Sequence, residues 1–289
     1  MAATPISKTA WDAVLRRDRG YDGKFVYVAI TTGIYCRPSC PSRRPHRRHA
    51  LFFSTAAEAE RAGYVACLRC HPNSLNPAEK SVKAALDYIQ EHIDHRITLA
   101  ELSKVSGLSS NHLQETFKRI VGVSPKAFYN AQRLIRFKEL IRAGESISSA
   151  CYGVGYGSSR ALYENAIRWL GMTPGRYQRR GKGAVIRYAI LRTSLGRVLL
   201  AGTARGISSI RLGHDVDFLL RDLHDEFTLA RLIADKKPFD GYIATVRFCE
   251  AEDAFLSRLP IATRRRVFET KLWALVALSP LQNLSGRNG

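Results

Sequence analysis

Four cysteines in the first quarter of the sequence, Cys36, Cys40, Cys67 and Cys70, constrain what these 289 residues can fold into more than any other feature. They stand as Cys-x3-Cys and Cys-x2-Cys, two close pairs joined by a longer loop. Such spacing brings four thiolates to one tetrahedral ion, and zinc is the metal whose closed sites use it. Residues 8–75 read as a small α+β unit, too small to bury much core unaided, so a metal staple is physically sensible there. Thr9 to Arg19 has helical apolar spacing, and Lys24 to Ile30 reads as a buried strand after the turn Gly20-Tyr21-Asp22-Gly23. Thr55 to Ala62 reads as a short helix capped by Ser54 or Thr55, delivering the chain to Cys67. Spacing alone leaves open whether the metal only staples the fold or also activates a thiolate.

Charge narrows the partners. The sequence carries +20 at neutral pH, unevenly distributed: residues 1–182 hold 29 Lys and Arg against 14 acids, and residues 183–289 hold 16 against 11. A surplus concentrated in the first two thirds points to a polyanion, with nucleic acid the leading candidate. The basic run Arg43-Arg44-Pro45-His46-Arg47-Arg48 lies between the cysteine pairs. Met1 to Ser7 has no signal-peptide apolar core, and no apolar run reaches the ~18 residues of a membrane span. A cytoplasmic, membrane-free protein is expected, in which six cysteines favour metal or chemistry over disulfides.

Residues 72–77 read as a linker, and from Ala78 to Arg179 the pattern is helical, with helices expected over 79–93, 98–105, 109–120, 125–143, 147–153, 158–169 and after Pro174. Thr98-Leu99-Ala100-Glu101 fits a capping box. Two segments share one design of short helix, glycine-bearing turn and polar second helix: Leu99 to Ile120 and Ile147 to Leu170. Each ends in the same phrase, Gly122-Val123-Ser124-Pro125 and Gly171-Met172-Thr173-Pro174. That design is a helix-turn-helix, present twice. Cys151 falls in a helix as a small apolar filler.

The segments Thr31-Thr32-Gly33-Ile34-Tyr35-Cys36-Arg37-Pro38-Ser39-Cys40, Ala62-Gly63-Tyr64 and Cys67-Leu68-Arg69-Cys70-His71-Pro72, with the opening Trp11-Asp12-Ala13-Val14, resemble the amino-terminal domain of the Ada family, bacterial regulators of the adaptive response to DNA methylation damage. The resemblance implies a Zn2+ held by Cys36, Cys40, Cys67 and Cys70. It further implies that Cys36 takes a methyl group irreversibly from a DNA methylphosphotriester, a single-turnover methyltransferase. The helical region is similar to the AraC-type DNA-binding domain, with residues 125–143 as the helix connecting its two units. That similarity puts Asn111, His112, Gln114 and Lys118 on the first recognition helix and Ser159 and Arg160 on the second. Arg160 suits guanine, and Asn111 or Gln114 adenine; Ser109 and Ser158 read as helix caps. Arg43, Arg47, Arg48 and Arg69 are the candidates for DNA phosphates.

After Gly181-Lys182-Gly183, strands are expected at Ile186 to Ile190, Val198 to Ala201 and Ile207 to Leu212, and helices at Val216 to Glu226 and Ala251 to Leu259. Ile186 to Ile190, Leu195 to Ala201 and Gly206-Ile207 resemble the opening of the family's second methyltransferase domain, and Leu259-Pro260 and Val267 to Trp273 resemble the approach to its catalytic half. The Pro-Cys-His-Arg segment carrying that domain's acceptor is absent from the sequence, and Cys249 matches neither its motif nor its place. Transfer from O6-alkylguanine is therefore not expected, and the strands are expected to lack half of their core. The organisation so read is multidomain: a small α+β zinc domain (1–76), an all-α double helix-turn-helix domain (77–180), an incomplete α/β remnant (184–278) and a disordered tail (279–289). Expected partners are methylated and promoter double-stranded DNA and RNA polymerase, with the chain a monomer. A transcription regulator with a purely structural zinc site is the competing reading.

Overall fold

The computed structural model describes residues 8–156, 170–251 and 255–278. The chain divides into two compact units, Met1–Pro77 and Ala78–Gly289. Among the described residues, no helix is long and apolar enough to cross a membrane.

In the first unit, α1 (Lys8–Arg16) is followed by β1 (Val26–Ala29), β2 (Ile34–Cys36), β3 (Ala50–Phe53), α2 (Ala56–Arg61) and β4 (Val65–Ala66). The sheet order is β3-β1-β2-β4, antiparallel except for the parallel β2–β4 pair. Strand alternation sends Tyr27 and Phe52 to one face, where Val14, Trp11 and all four cysteines pack with them. Val26, Val28, Tyr35 and Phe53 go to the other face, against Ala59 of α2. β1 is thus buried on both sides, which is why its sequence reads as an uninterrupted apolar run. The expected first helix is shorter than its spacing suggests: Arg17 adopts φ 53° and a 3-10 turn follows at Arg19–Tyr21. Of the two candidate caps for α2, Thr55 accepts the Glu58 N–H at 3.2 Å, and the Glu58 carboxylate accepts from Ser54 N at 3.1 Å. β2, β3 and β4, at two to four residues each, were too short to announce themselves in sequence.

The second unit opens with α3 (Pro77–Glu91, its first residue at the boundary), α4 (Leu99–Ser106), α5 (Ser110–Val121), α6 (Pro125–Arg142), α7 (Ile147–Tyr152) and α8 (Pro174–Gln178). The capping box at α4 is present: Thr98 Oγ1 accepts from Glu101 N at 3.2 Å while the Glu101 carboxylate accepts from Thr98 N at 2.6 Å. Ser109, expected to cap α5, occupies the cap position without a side-chain hydrogen bond. The expected second recognition helix and Ser158, Ser159 and Arg160 lie outside the described residues. The repeated four-residue phrase has a physical content. Gly122 and Gly171 take φ 88° and 62°, then Ser124 and Thr173 cap the next helix at Ala127 N (3.2 Å) and Arg176 N (3.3 Å), with proline at its first position.

The remaining elements are β5 (Val185–Thr193), β6 (Gly196–Thr203), β7 (Gly206–Gly213), α9 (Val216–Glu226), β8 (Arg231–Ala234), α10 (Asp240–Ala251) and α11 (Ile261–Leu278). They form one sheet, ordered β7-β6-β5-β8. Two expectations change here. The helix expected over Ala251 to Leu259 is displaced: α10 ends at Ala251, a 3-10 turn occupies Leu256–Arg258, and 252–254 lie outside the described residues. The strands also do not lack a core, since Val198, Leu199, Leu200 and Ala201 are all buried, so both faces of β6 are covered. The cover comes from α9 and α11, which pack on β7, and α11 packs in turn along α6.

α6 is therefore a central helix, with buried residues all round it, including Gln132, Arg133 and Lys138. Gln132 and Lys138 both find partners. Gln132 donates to Thr270 Oγ1 at 2.5 Å. Lys138 Nζ donates to the Ser208 carbonyl, pairs with Glu226 at 3.1 Å and lies 4.5 Å over the Trp273 ring. Glu226 also accepts from Tyr177 (2.5 Å) and Ser209 (2.7 Å) and pairs with Arg211 at 3.2 Å. Burial alone would raise the Glu226 carboxyl, but Lys138 and Arg211 hold it down at about 2.

A carboxylate depressed in the folded state contributes stability above its unfolded pKa and loses it as pH falls towards its folded one. Glu226→Gln leaves the buried Lys138 without its paired carboxylate, while Arg211 keeps Asp222 at 2.8 Å. It is expected to cost about 3–5 kcal/mol at pH 7. In urea unfolding followed by circular dichroism, the difference from wild type should shrink as pH falls from about 4.3 towards 2. A pH-independent difference would show that Glu226 acts through packing alone.

Candidate metal centre and nucleic-acid interface

The parallel β2–β4 pair builds the cysteine cluster. Tyr35 lies opposite Ala66, and Cys67 N donates to the Tyr35 carbonyl at 3.0 Å, so Cys36 and Cys67 leave adjacent strand ends together. A tight turn returns the chain, with Cys40 N donating to the Arg37 carbonyl at 3.0 Å. Asp22 pins that turn, accepting from Ser39 N (3.1 Å) and Ser39 Oγ (2.6 Å). A second turn brings Cys70 round, with His71 N bonded to the Cys67 carbonyl at 2.9 Å and His71 at φ 43°. The buried Arg37 guanidinium ties this second turn to the first through the carbonyls of His71 and Ser74. Behind the sheet, Tyr35 donates to Glu60 at 2.7 Å, which draws the Glu60 carboxyl below its usual range.

The four sulfurs all lie within 4.8 Å of one another. A tetrahedron of sulfurs around zinc at 2.3 Å has edges of about 3.8 Å, so the arrangement fits that ion with little adjustment. Hydrogen bonds from Cys36 and Cys70 hold Cys40 well below the ordinary thiol range. The bond to Cys40 in turn drives Cys36 far above it. Cys70, drawn down by Cys36 but raised by Cys40 and burial, stands at about 12. Left to themselves, the sulfurs share protons, and full ionisation requires a cation at their centre. Cys40 also receives hydrogen bonds from Ser42, as Cys70 does from the Arg37 backbone, the kind of support a thiolate needs.

The cluster is asymmetric towards solvent. A cleft of about 480 Å³ is lined by Tyr27, Thr31, Thr32, Cys36, Arg43, Arg44, His46, His49 and Cys67, among others. Cys36 and Cys67 line it, whereas Cys40 and Cys70 do not. Of the arginines picked out in sequence, Arg43 lines the cleft, and Arg47, Arg48 and Arg69 are exposed outside it. Sequence reasoning missed Arg44, Thr31, Thr32, His46 and His49. The basic run contains Arg44 and His46, but nothing in a run of exposed cations says which of them turn inwards.

On α5, Leu113, Thr116, Phe117 and Val121 are buried, and Asn111, His112, Gln114 and Lys118 are exposed on the opposite side. Helical periodicity alone produces that polar face. Cys151 and Cys249 are fully buried, away from the four-cysteine cluster.

Comparison with known proteins accords with this geometry. Residues 9–73 match the family described as the metal binding domain of Ada, and residues 102–180 match a helix-turn-helix domain. The chain is 33% identical to the regulatory protein Ada of Salmonella typhimurium, covering 95% of this chain and 78% of that one. It is 32% identical to the bifunctional transcriptional activator/DNA repair enzyme Ada of Escherichia coli, covering 93% and 77%. The similarly named AdaA of Bacillus subtilis is 29% identical over 62% of this chain and 86% of its own length. A metal-binding cysteine cluster followed by a helix-turn-helix region, shared with such relatives over nearly the whole sequence, makes this chain a member of the Ada family.

Proposed function

We propose that this chain is a DNA methylation-damage sensor: Cys36 takes a methyl group from a DNA methylphosphotriester, and the helix-turn-helix region then directs the protein to a promoter. The observation that carries this reading is the basic cleft, which admits a phosphate to Cys36 while Cys40 and Cys70 stay outside it. Zinc bound by Cys36, Cys40, Cys67 and Cys70 would keep the thiolates ionised and electron-rich at neutral pH. Cys36 Sγ attacks the methyl carbon, the S–C bond forms as the C–O bond breaks, and the phosphodiester departs with the electron pair. Arg43 and Arg44 at the cleft rim hold the phosphate while this happens. The phosphodiester is too weak a nucleophile to take the methyl back, so each molecule acts once.

Conversion of a thiolate to a thioether removes one negative charge facing the DNA. At an effective dielectric of about 20 and a distance of about 8 Å, that charge is worth about 2 kcal/mol before screening. A tenfold or greater gain in promoter affinity follows. RNA polymerase is the partner of such a regulator, and the protein works as a cytoplasmic monomer. Cys151 and Cys249 have no exposed surface, so neither is assigned a second transfer.

Two measurements test this. Incubation of the zinc-loaded protein with methylated duplex DNA should add a single methyl, mapped by mass spectrometry to Cys36. Cys36→Ser should show none, and an adduct on Cys67 would reassign the acceptor. No adduct at all on zinc-loaded wild type would favour the purely structural site. Thiol-specific modification should release one zinc per wild-type chain, and Cys40→Ala should bind little or none. Cys151→Ser and Cys249→Ser should remain at wild-type stoichiometry, because neither sulfur belongs to the cluster.

A further inference from the structure

A second basic cleft, of about 570 Å³, lies in the helical region. Its wall runs from Arg96 and Ile97 through Leu99 and Leu102 of α4 and Gln114 of α5, along the first half of α6, to Gly155 and Tyr156 in the turn after α7. Arg96, Lys126 and Arg133 line it, and among the described residues no acidic one does. We infer that this cleft seats a phosphate of the DNA backbone, held by Arg96, Lys126 and Arg133, between the exposed face of α5 and the turn after α7.

Arg133 carries the argument. It is 8% exposed, its Nε donates to the Val154 carbonyl at 2.5 Å, and its guanidinium lies 3.4 Å from the Tyr156 ring centroid and 5.3 Å from that of Tyr129. One terminal nitrogen, Nη2, has no hydrogen-bond partner among the described residues. A buried cationic donor left without an acceptor is costly, and a phosphate oxygen in the cleft supplies one. α6 adds its N-terminal turn, where Ser124, Pro125 and Lys126 line the same cleft.

The cleft is built rather than incidental. Tyr129 donates to the His95 carbonyl at 2.7 Å and accepts from Ile97 N at 3.3 Å, fixing the loop that carries Arg96. Gly155, at φ 71°, lets the turn after α7 approach so closely that a Cβ there would stand 2.9 Å from the His95 carbonyl carbon. The DNA backbone is the source of the phosphate because Gln114, on the exposed face of α5 with Asn111 and Lys118, shares the rim. A base read by that face brings its own strand's phosphates to the cleft, and such contacts set register rather than sequence.

This inference rests on DNA binding by the helix-turn-helix region, and the test separates the two. The full chain is titrated with a duplex of arbitrary sequence at several salt concentrations, with fluorescence anisotropy as readout. Lys126→Ala and Arg96→Ala should each weaken binding and reduce the slope of log K against log salt by about 0.9. Arg192→Ala, an exposed cation on β5 outside the cleft, should leave the slope unchanged. Wild-type slopes for both cleft variants, with wild-type protein still binding DNA, would overturn the seat alone. Failure of wild type to bind any duplex would remove the DNA reading with it. Inorganic phosphate is titrated separately, followed by tyrosine fluorescence. Saturation that duplex does not displace would make the cleft a free-anion site and overturn its assignment to DNA.

Discussion

Four thiolates within 4.8 Å of one another can all be ionised only around a cation, and the first unit is organised around that constraint. Two of them sit at the ends of parallel strands and two in the turns that follow, so the sheet register itself sets the cluster. Tyr27 lies under it, with its hydroxyl held far above the ordinary range by burial and by the neighbouring Cys36 and Cys40 charges. An ion at the centre would satisfy the sulfurs and tie the sheet to both turns, supplying what a unit of this size cannot draw from apolar burial alone. Reactivity follows from asymmetry: the same cluster that staples the fold turns Cys36 and Cys67 towards a basic cleft.

In the second unit the organising element is α6. It serves the first helix-turn-helix at its N-terminus, where Phe128 meets Phe117 of α5 with ring centroids 5.8 Å apart. Further along, Lys138 enters the ionic network of Glu226 and Arg211, which belong to α9 and β7. Arg142 closes the helix on Asp222 at 2.5 Å. A helix carrying a DNA-reading unit is thus bound to the carboxy-terminal sheet through buried charges as well as apolar contact. Buried ion pairs of this kind contribute less to net stability than to a single geometry, since any other docking would strand a charge.

Much of the chemistry was legible in the residues, and the reason is local. Cysteine spacing, the capping box at Thr98 and the Gly-x-Ser/Thr-Pro phrases each act within a few residues, so sequence carries them directly. The strand pattern of β5 to β7 and the length of α9 were legible for the same reason. What escaped were features decided at a distance. α11 shows almost no amphipathic periodicity because it is buried against both α6 and β7, so the 3.6-residue signal has no polar face to define it. The covered core of the carboxy-terminal sheet was likewise invisible, since its cover comes partly from α11.

By itself, the sequence determined that four cysteines would meet, that a first helix-turn-helix would run into one long connecting helix, and that the surplus charge would favour a polyanion. Only the tertiary structure decided which of those charges and sulfurs matter together. Arg43 and Arg44 line the cleft with Cys36, whereas Arg47 and Arg48 do not. Arg133, on paper one more cation in a helix, ends up buried with one nitrogen that has no partner among the described residues. Spacing along a chain fixes which residues are close when the turns between them are short. The side a cation faces depends on what packs behind it, and that is set by segments far away in sequence.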